Sequence, residues 1–151
     1  MKAWTASPKG GMTTNKRLRK GDIVLYPYLW ADQQESGETE GRKTRPACLA
    51  LRLHDPKNNI HHLMLVAITS REPAKGRVAI EVPDTERQRA KLVRYPRAWV
   101  IVDEYNYDIE ESSWYFEAKP LGAFSEPFLR QVTDALRKEM RRGARRVDRA
   151  Q

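Results

Sequence analysis

Residues 46–53 (PACLALRL) and 60–68 (IHHLMLVAI) are two runs of β-preferring sequence, and the six residues between them, His54-Asp55-Pro56-Lys57-Asn58-Asn59, are dense in turn formers. The pattern predicts an antiparallel hairpin, with Pro46 acceptable as the first residue of its strand because no ladder donor is needed there. The turn is centred near Lys57, so residues paired across an unbulged ladder have numbers totalling about 114. Arg45 and Thr69 meet that condition. They are expected to face one another across the open end of the hairpin with Cβ atoms roughly 5 Å apart, and a bulge would bring in Ser70 instead.

The rest of the chain reads as shorter pieces around this hairpin. Residues 23–29, leading into Trp30, predict a first strand, and residues 77–82, 99–102 and 113–116 predict others. Residues 31–44 form a long polar connection containing Gly37 and Gly41, a length usually functional or disordered. Residues 83–92 are charged and predict a short helix begun by Asp84, while residues 103–111 read as a connection. Ser125 as cap, Glu126 in the first turn, Pro127, and the spacing of Phe128, Leu129, Val132, Ala135, Leu136 and Met140 predict a helix over 126–140 with one face on the sheet. The expected fold is mainly β (α+β), a small, strongly bent barrel of five to seven short strands at 21–140 with a C-terminal helix.

Length and charge narrow this further. A chain of 151 residues makes one domain, and its longest apolar run, residues 63–68, is six residues against the roughly 18 of a membrane-spanning helix. The N-terminal residues contain lysine but no apolar stretch before a cleavage site, so a cytoplasmic location is expected. Met12 is an alternative start. The single cysteine, Cys48, cannot form an internal disulfide and excludes a cysteine zinc cage. Of the net charge of +8, residues 1–20 carry six basic residues and no acid, and residues 141–151 carry five arginines against Asp148. Positions 21–140 are left with 17 basic and 19 acidic residues, net −2. The sequence therefore predicts a basic flexible leader at 1–20 and a basic tail at 141–151 on a nearly neutral body.

Arg45 opposite Thr69 and Ser70, with Arg42 and Lys43 in the adjoining loop, makes a corner suited to a phosphate. By pattern alone the same residues also read as a surface arginine that pairs with loop glutamates. The segments Gly21-Asp22-Ile23-Val24, Lys43-Thr44-Arg45-Pro46-Ala47, Val66-Ala67-Ile68-Thr69-Ser70, Trp99-Val100-Ile101-Val102-Asp103 and Leu121-Gly122-Ala123-Phe124-Ser125, in this order, resemble the MazF/PemK family of toxin–antitoxin endoribonucleases. The resemblance spans 21 to about 138, and K-x-R-P-A and I-T-S are its most specific parts. It implies an SH3-like barrel with a terminal helix and a homodimer. The implied activity is metal-independent, sequence-selective cleavage of single-stranded RNA without a cofactor, held in check by an acidic antitoxin. It carries the catalytic roles onto Arg45 and Thr69, with Lys43, Arg42 and Ser70 as substrate-binding residues. The chain departs from the family pattern at Ala67, where proline is frequent, in the long loop 31–44, and in residues 105–119, which look like an insertion.

In metal-free RNA cleavage the substrate's own 2′-hydroxyl attacks, and the protein stabilises a doubly charged phosphorane. Arg45 suits that task, and Thr69 would orient the phosphate; a guanidinium is a poor base, so the proton acceptor stays unassigned. His62 lies seven residues from Thr69, roughly 23 Å along an extended strand, which takes His54, His61 and His62 away from this corner. Those histidines with Asp55 point to opposite strand faces, and no metal is expected. Tyr26, Tyr28 and Trp30 read mostly as core, with base stacking as the other use. The competing reading is a non-catalytic barrel, either CcdB-like and acting on a protein or one that only binds RNA.

Overall fold

The computed structural model describes residues 18–38, 44–116 and 119–150. The hairpin is its spine: β2 (Arg45–Asp55) pairs with β3 (Ile60–Thr69). Around it the chain supplies β1 (Asp22–Tyr26), α1 (Ala31–Glu35), β4 (Ala79–Glu81), α2 (Asp84–Arg89), β5 (Trp99–Ile101), β6 (Glu104–Ile109), β7 (Gly122–Ala123), α3 (Glu126–Arg141) and β8 (Arg145–Asp148). A single 3₁₀ turn covers Glu110–Ser112. The eight strands form one curled sheet in the order β4-β5-β3-β2-β1-β7. β3 branches: His62 to Leu65 pair with β6, and Ile68 and Thr69 pair with β5. All ladders are antiparallel except β6 with β8.

Near the turn the hairpin pairs Asp55 with Ile60 and Leu51 with Met64; an irregularity between Leu49 and Leu51 then shifts the register to Leu49 with Leu65 and Ala47 with Ala67. The expected total of 114 thus holds at the open end, because the bulge removes the one-residue excess present at the turn. β2 and β3 are buried on both faces, which is why their runs are continuously apolar rather than alternating. Cys48, Met64, Val66 and Ile68 pack with Phe128, Val132 and Leu136 of α3. Leu49, Leu63, Leu65 and Ala67 pack on the opposite side with Leu18, Tyr26 and Tyr28.

α3 begins as its residues predict. The Ser125 hydroxyl accepts from the Phe128 N–H, and it donates to buried Glu86 of α2 at 2.6 Å while the Ser125 N–H donates to the same carboxylate at 2.8 Å. An acid at a helix N-terminus also suits the helix dipole. Beside this junction Gly122 lies so close to α2 that a β-carbon there would sit 2.3 Å from the Arg89 carbonyl oxygen. Gly122→Ala is therefore expected to cost about 1–3 kcal/mol, as overpacking does. Urea unfolding should show a lowered midpoint with an unchanged slope.

Several expectations are corrected. β1 stops at Tyr26 because Pro27 follows, although Tyr28 and Leu29 stay buried. The connection 31–44 contains α1, whose Ala31 packs with Leu29 and Val147. Residues 113–116 make no strand; Tyr115 and Phe116 instead pack their rings against Tyr26, each at 5.4 Å. Residues 103–111, read as a connection, contain the buried strand β6. Its Glu104, Asn106 and Asp108 point inward and are satisfied by the Ala31 N–H, the Leu29 backbone and the Tyr26 hydroxyl. The expected tail contains β8, with Val147 and Arg149 buried, so it is not a solvated end. The mainly β architecture, curled like a small barrel and closed by a C-terminal helix, is the expected one, but among the described residues its sheet has eight strands rather than five to seven. The leader at 1–20, apart from residues 18–20, lies outside the described residues.

Arg77 grips Asp103 through Nε and Nη2, the shorter contact at 2.7 Å, and reaches Glu104 at 2.9 Å. Burial pushes the Asp103 carboxyl up, but the Arg77 guanidinium and the Val78 N–H outweigh it and hold the carboxyl below its usual range. A native pKa below the unfolded one means that the stabilisation is complete above about pH 4 and is lost as pH falls through the native value. The difference in melting temperature between the unaltered chain and Asp103→Asn should therefore shrink between pH 7 and pH 3. A difference that stays constant over that range would contradict it.

Candidate functional site

Where the hairpin opens, the sheet leaves a cleft of about 570 Å³. Thr44, Arg45 and Pro46 at the start of β2 form one side, and Ile68, Thr69, Ser70 and Arg71 at the end of β3 form the other. Trp30 and Tyr95 complete the walls. Arg45 is held by its pairing with Tyr26 of β1, and Thr69 by its pairing with Trp99 of β5. The β2–β3 ladder ends at Ala47 with Ala67, and two residues further out Arg45 and Thr69 stand on the two sides of the cleft.

Arg45 is half-buried, and its Nε is buried with no hydrogen-bond partner. Among the described residues it makes no ion pair. Its guanidinium instead lies 5.4 Å from the centroid of the Trp30 ring, and that ring packs edge-on against Tyr28 at 5.0 Å. A guanidinium on an aromatic face keeps its in-plane donors for a further acceptor. Thr69 Oγ1 accepts the Arg71 N–H at 3.1 Å, so its own proton is directed elsewhere. Ser70 and Arg71 are exposed. The described lining residues include two arginines and no carboxylate, a charge balance that suits an anion.

Arg45, Thr69 and Ser70 therefore line one cleft, whereas Arg42 and Lys43 lie outside the described residues. Sequence reasoning missed Arg71 and Tyr95, and it placed Trp30 in the core. Arg71 directly follows Thr-Ser and was legible as a further cation at the strand end. Tyr95 sits in a loop that no local pattern points toward the hairpin.

The other reactive side chains are engaged elsewhere. His61 Nδ1 lies 2.5 Å from Glu111, whose other oxygen accepts the His61 N–H, and the His61 ring stacks on His54. His62 pairs with the Tyr107 hydroxyl at 2.5 Å and with Asp55 at 3.4 Å. His61, Glu110 and Glu111 each bring one potential metal-ligand atom within 4.8 Å of the others, but Glu110 is already held by Arg52 at 2.7 Å. This cluster is at the turn end of the hairpin, roughly 26 Å along β3 from Thr69. Cys48 is fully buried, and burial pushes its thiol well up, so it is no nucleophile. Among the described residues no helix is long and apolar enough to cross a membrane. No model of a known protein family matches the chain, and a comparison with curated proteins returns no match.

Proposed function

We propose that the protein is an endoribonuclease that cuts single-stranded RNA without a metal ion, at the cleft between Arg45 and Thr69. The observation that carries this reading is the Arg45 guanidinium, which among the described residues has no partner at its buried Nε, is backed by Trp30, and shares with a threonine hydroxyl a cleft whose described lining holds no acid. A buried donor without a partner costs free energy in the empty protein. A phosphate oxygen relieves that cost, and it does so best when the phosphate gains negative charge. In the reaction the 2′-hydroxyl attacks the adjacent phosphorus, a 2′,3′-cyclic phosphate forms, and the 5′-oxygen leaves as a hydroxyl. Arg45 takes the equatorial oxygens and Thr69 donates one hydrogen bond that orients them.

The ordered motifs at 21–24, 43–47, 66–70, 99–103 and 121–125 and the curled sheet with its C-terminal helix support an SH3-like barrel of the MazF/PemK kind. On that reading the protein is a cytoplasmic homodimeric toxin, restrained by an antitoxin whose acidic segment covers Arg45. A small acidic protein encoded beside it is the expected partner.

A second reading also has an observation in its favour. Among the described residues no histidine or carboxylate lines the cleft, so a barrel that holds RNA phosphates or a protein's acidic group without cutting fits the same walls. Incubation of the protein with total RNA in EDTA separates the two. The first reading expects fragments ending in cyclic phosphate, and their absence alongside RNA binding leaves the second. Fragments made equally by an Arg45→Ala variant would overturn the site.

A further inference from the structure

The geometry points to the C-terminal strand β8 as a strap that positions the Trp30 wall of the cleft, with Arg149, just beyond it, as the main positioning residue. It rests on the cleft being the binding site, and it is tested first with no RNA present. Trp30 sits in residues 27–35, a stretch with one short helix that crosses the inner side of β6. From β6, the Asn106 amide clasps Leu29 by accepting from its N–H at 2.9 Å and donating to its carbonyl at 2.8 Å. Glu104 accepts the Ala31 N–H at 2.9 Å. These contacts bracket Trp30 from both sides.

β8 lies beside β6 in the sheet, with Glu104 paired to Arg145 and Asn106 to Val147, and extends the same face under this stretch. Alternate residues face one way in a strand, and here Arg145, Val147 and Arg149 all meet residues 27–35. Arg145 reaches Asp32 at 3.0 Å and Glu35 at 2.5 Å. Val147 packs with Leu29 and Ala31. Arg149, 4% exposed, donates to the Pro27 carbonyl at 2.7 Å and to the Tyr115 hydroxyl at 3.2 Å. Among the described residues it makes no ion pair, and its charge answers to those two oxygens and to the Tyr115 ring, whose centroid lies 5.4 Å from the guanidinium carbon. If the strap shifts, Leu29 and Ala31 shift with it, then the Trp30 ring between them, and then the Arg45 guanidinium stacked on that ring.

The chain holds four tryptophans, so 5-fluorotryptophan labelling gives four fluorine resonances, with Trp30 assigned through Trp30→Phe. Arg149→Ala should move or broaden the Trp30 signal while leaving that of Trp99, on β5, in place. Arg149→Lys should restore most of it by donating to Pro27. Affinity for a 2′-O-methyl oligonucleotide, which cannot be cut, should fall about tenfold or more in Arg149→Ala, the worth of a charge-assisted hydrogen bond. Arg145→Glu is the second variant, since its side chain is exposed and its loss leaves the buried contacts intact; it too should move the Trp30 signal. An unmoved Trp30 signal in a folded Arg149→Ala, or in Arg145→Glu where the former does not fold, overturns the strap. A moved signal in a chain whose unaltered form binds no RNA supports the strap and overturns the RNA reading.

Discussion

Arg45→Ala should cut RNA in EDTA about 10²–10³-fold more slowly than the unaltered chain, the loss seen when one preorganised charge stabiliser is removed from a reacting centre. The melting temperature should hardly change. The Arg45 side chain makes no hydrogen bond or ion pair among the described residues and lies against the Trp30 ring, so its removal strands no polar partner. Loss of rate with retained stability separates a role in the reaction from a role in the fold. Arg45→Lys should recover only part of the rate, because an ammonium is a point charge and cannot take two phosphate oxygens in one plane. A lysine variant as fast as the parent would mean that positive charge alone matters and that the planar fork stacked on Trp30 does not.

Glu104→Ala is expected to be the most destabilising single change, at about 3–5 kcal/mol. The Glu104 carboxylate is 2% exposed and accepts three donors: the Ala31 N–H at 2.9 Å, the Tyr28 hydroxyl at 3.2 Å and Arg77 at 2.9 Å. Its removal orphans two buried donors and leaves Arg77 on Asp103 alone. Glu104→Gln keeps an acceptor and should lose less. The exposed pair of Glu81 with Arg97, equally well formed at 2.8 and 2.9 Å, is the contrast: water takes over both partners, so Glu81→Ala should leave the urea midpoint nearly unchanged. Equal midpoints for Glu104→Ala and Glu81→Ala would show that the β6 contacts do not hold the fold together.

The charge pattern changes meaning once the fold is known. Five arginines among residues 141–151 read as a basic tail. Two of them have internal tasks: Arg145 neutralises two acids of α1, and Arg149 is buried against Pro27. Arg146 lies 4.0 Å above the Tyr107 ring. A deletion of residues 142–151 would therefore remove a strand of the sheet, not merely a polyelectrolyte. If the protein binds RNA as proposed, the salt dependence of that binding is expected to come from the basic residues of 1–17 and from the arginines of the cleft.

How much could be read in advance depended on whether a residue's surroundings were local. Continuous apolar β sequence around a Pro-Lys-Asn-Asn turn specifies the hairpin, and the hairpin's numbering brings Arg45 toward Thr69 without reference to any other part of the chain. Ser125 with Glu126 and the spacing of Phe128, Val132 and Leu136 specify α3 in the same way. β6 and β8 were misread because their inward residues are Glu104, Asn106, Asp108 and Arg149, whose polarity argues for solvent. What makes their burial affordable is a set of backbone groups 73 to 122 residues away in sequence, at Pro27, Leu29 and Ala31. The sequence by itself thus determined the spine of the sheet, the closing helix and the meeting of an arginine with a threonine. Only the tertiary structure decided that Trp30 backs that arginine and that the C-terminal residues hold Trp30 there. A polar residue's burial is settled by the partners that satisfy it, and no local periodicity records where those partners lie.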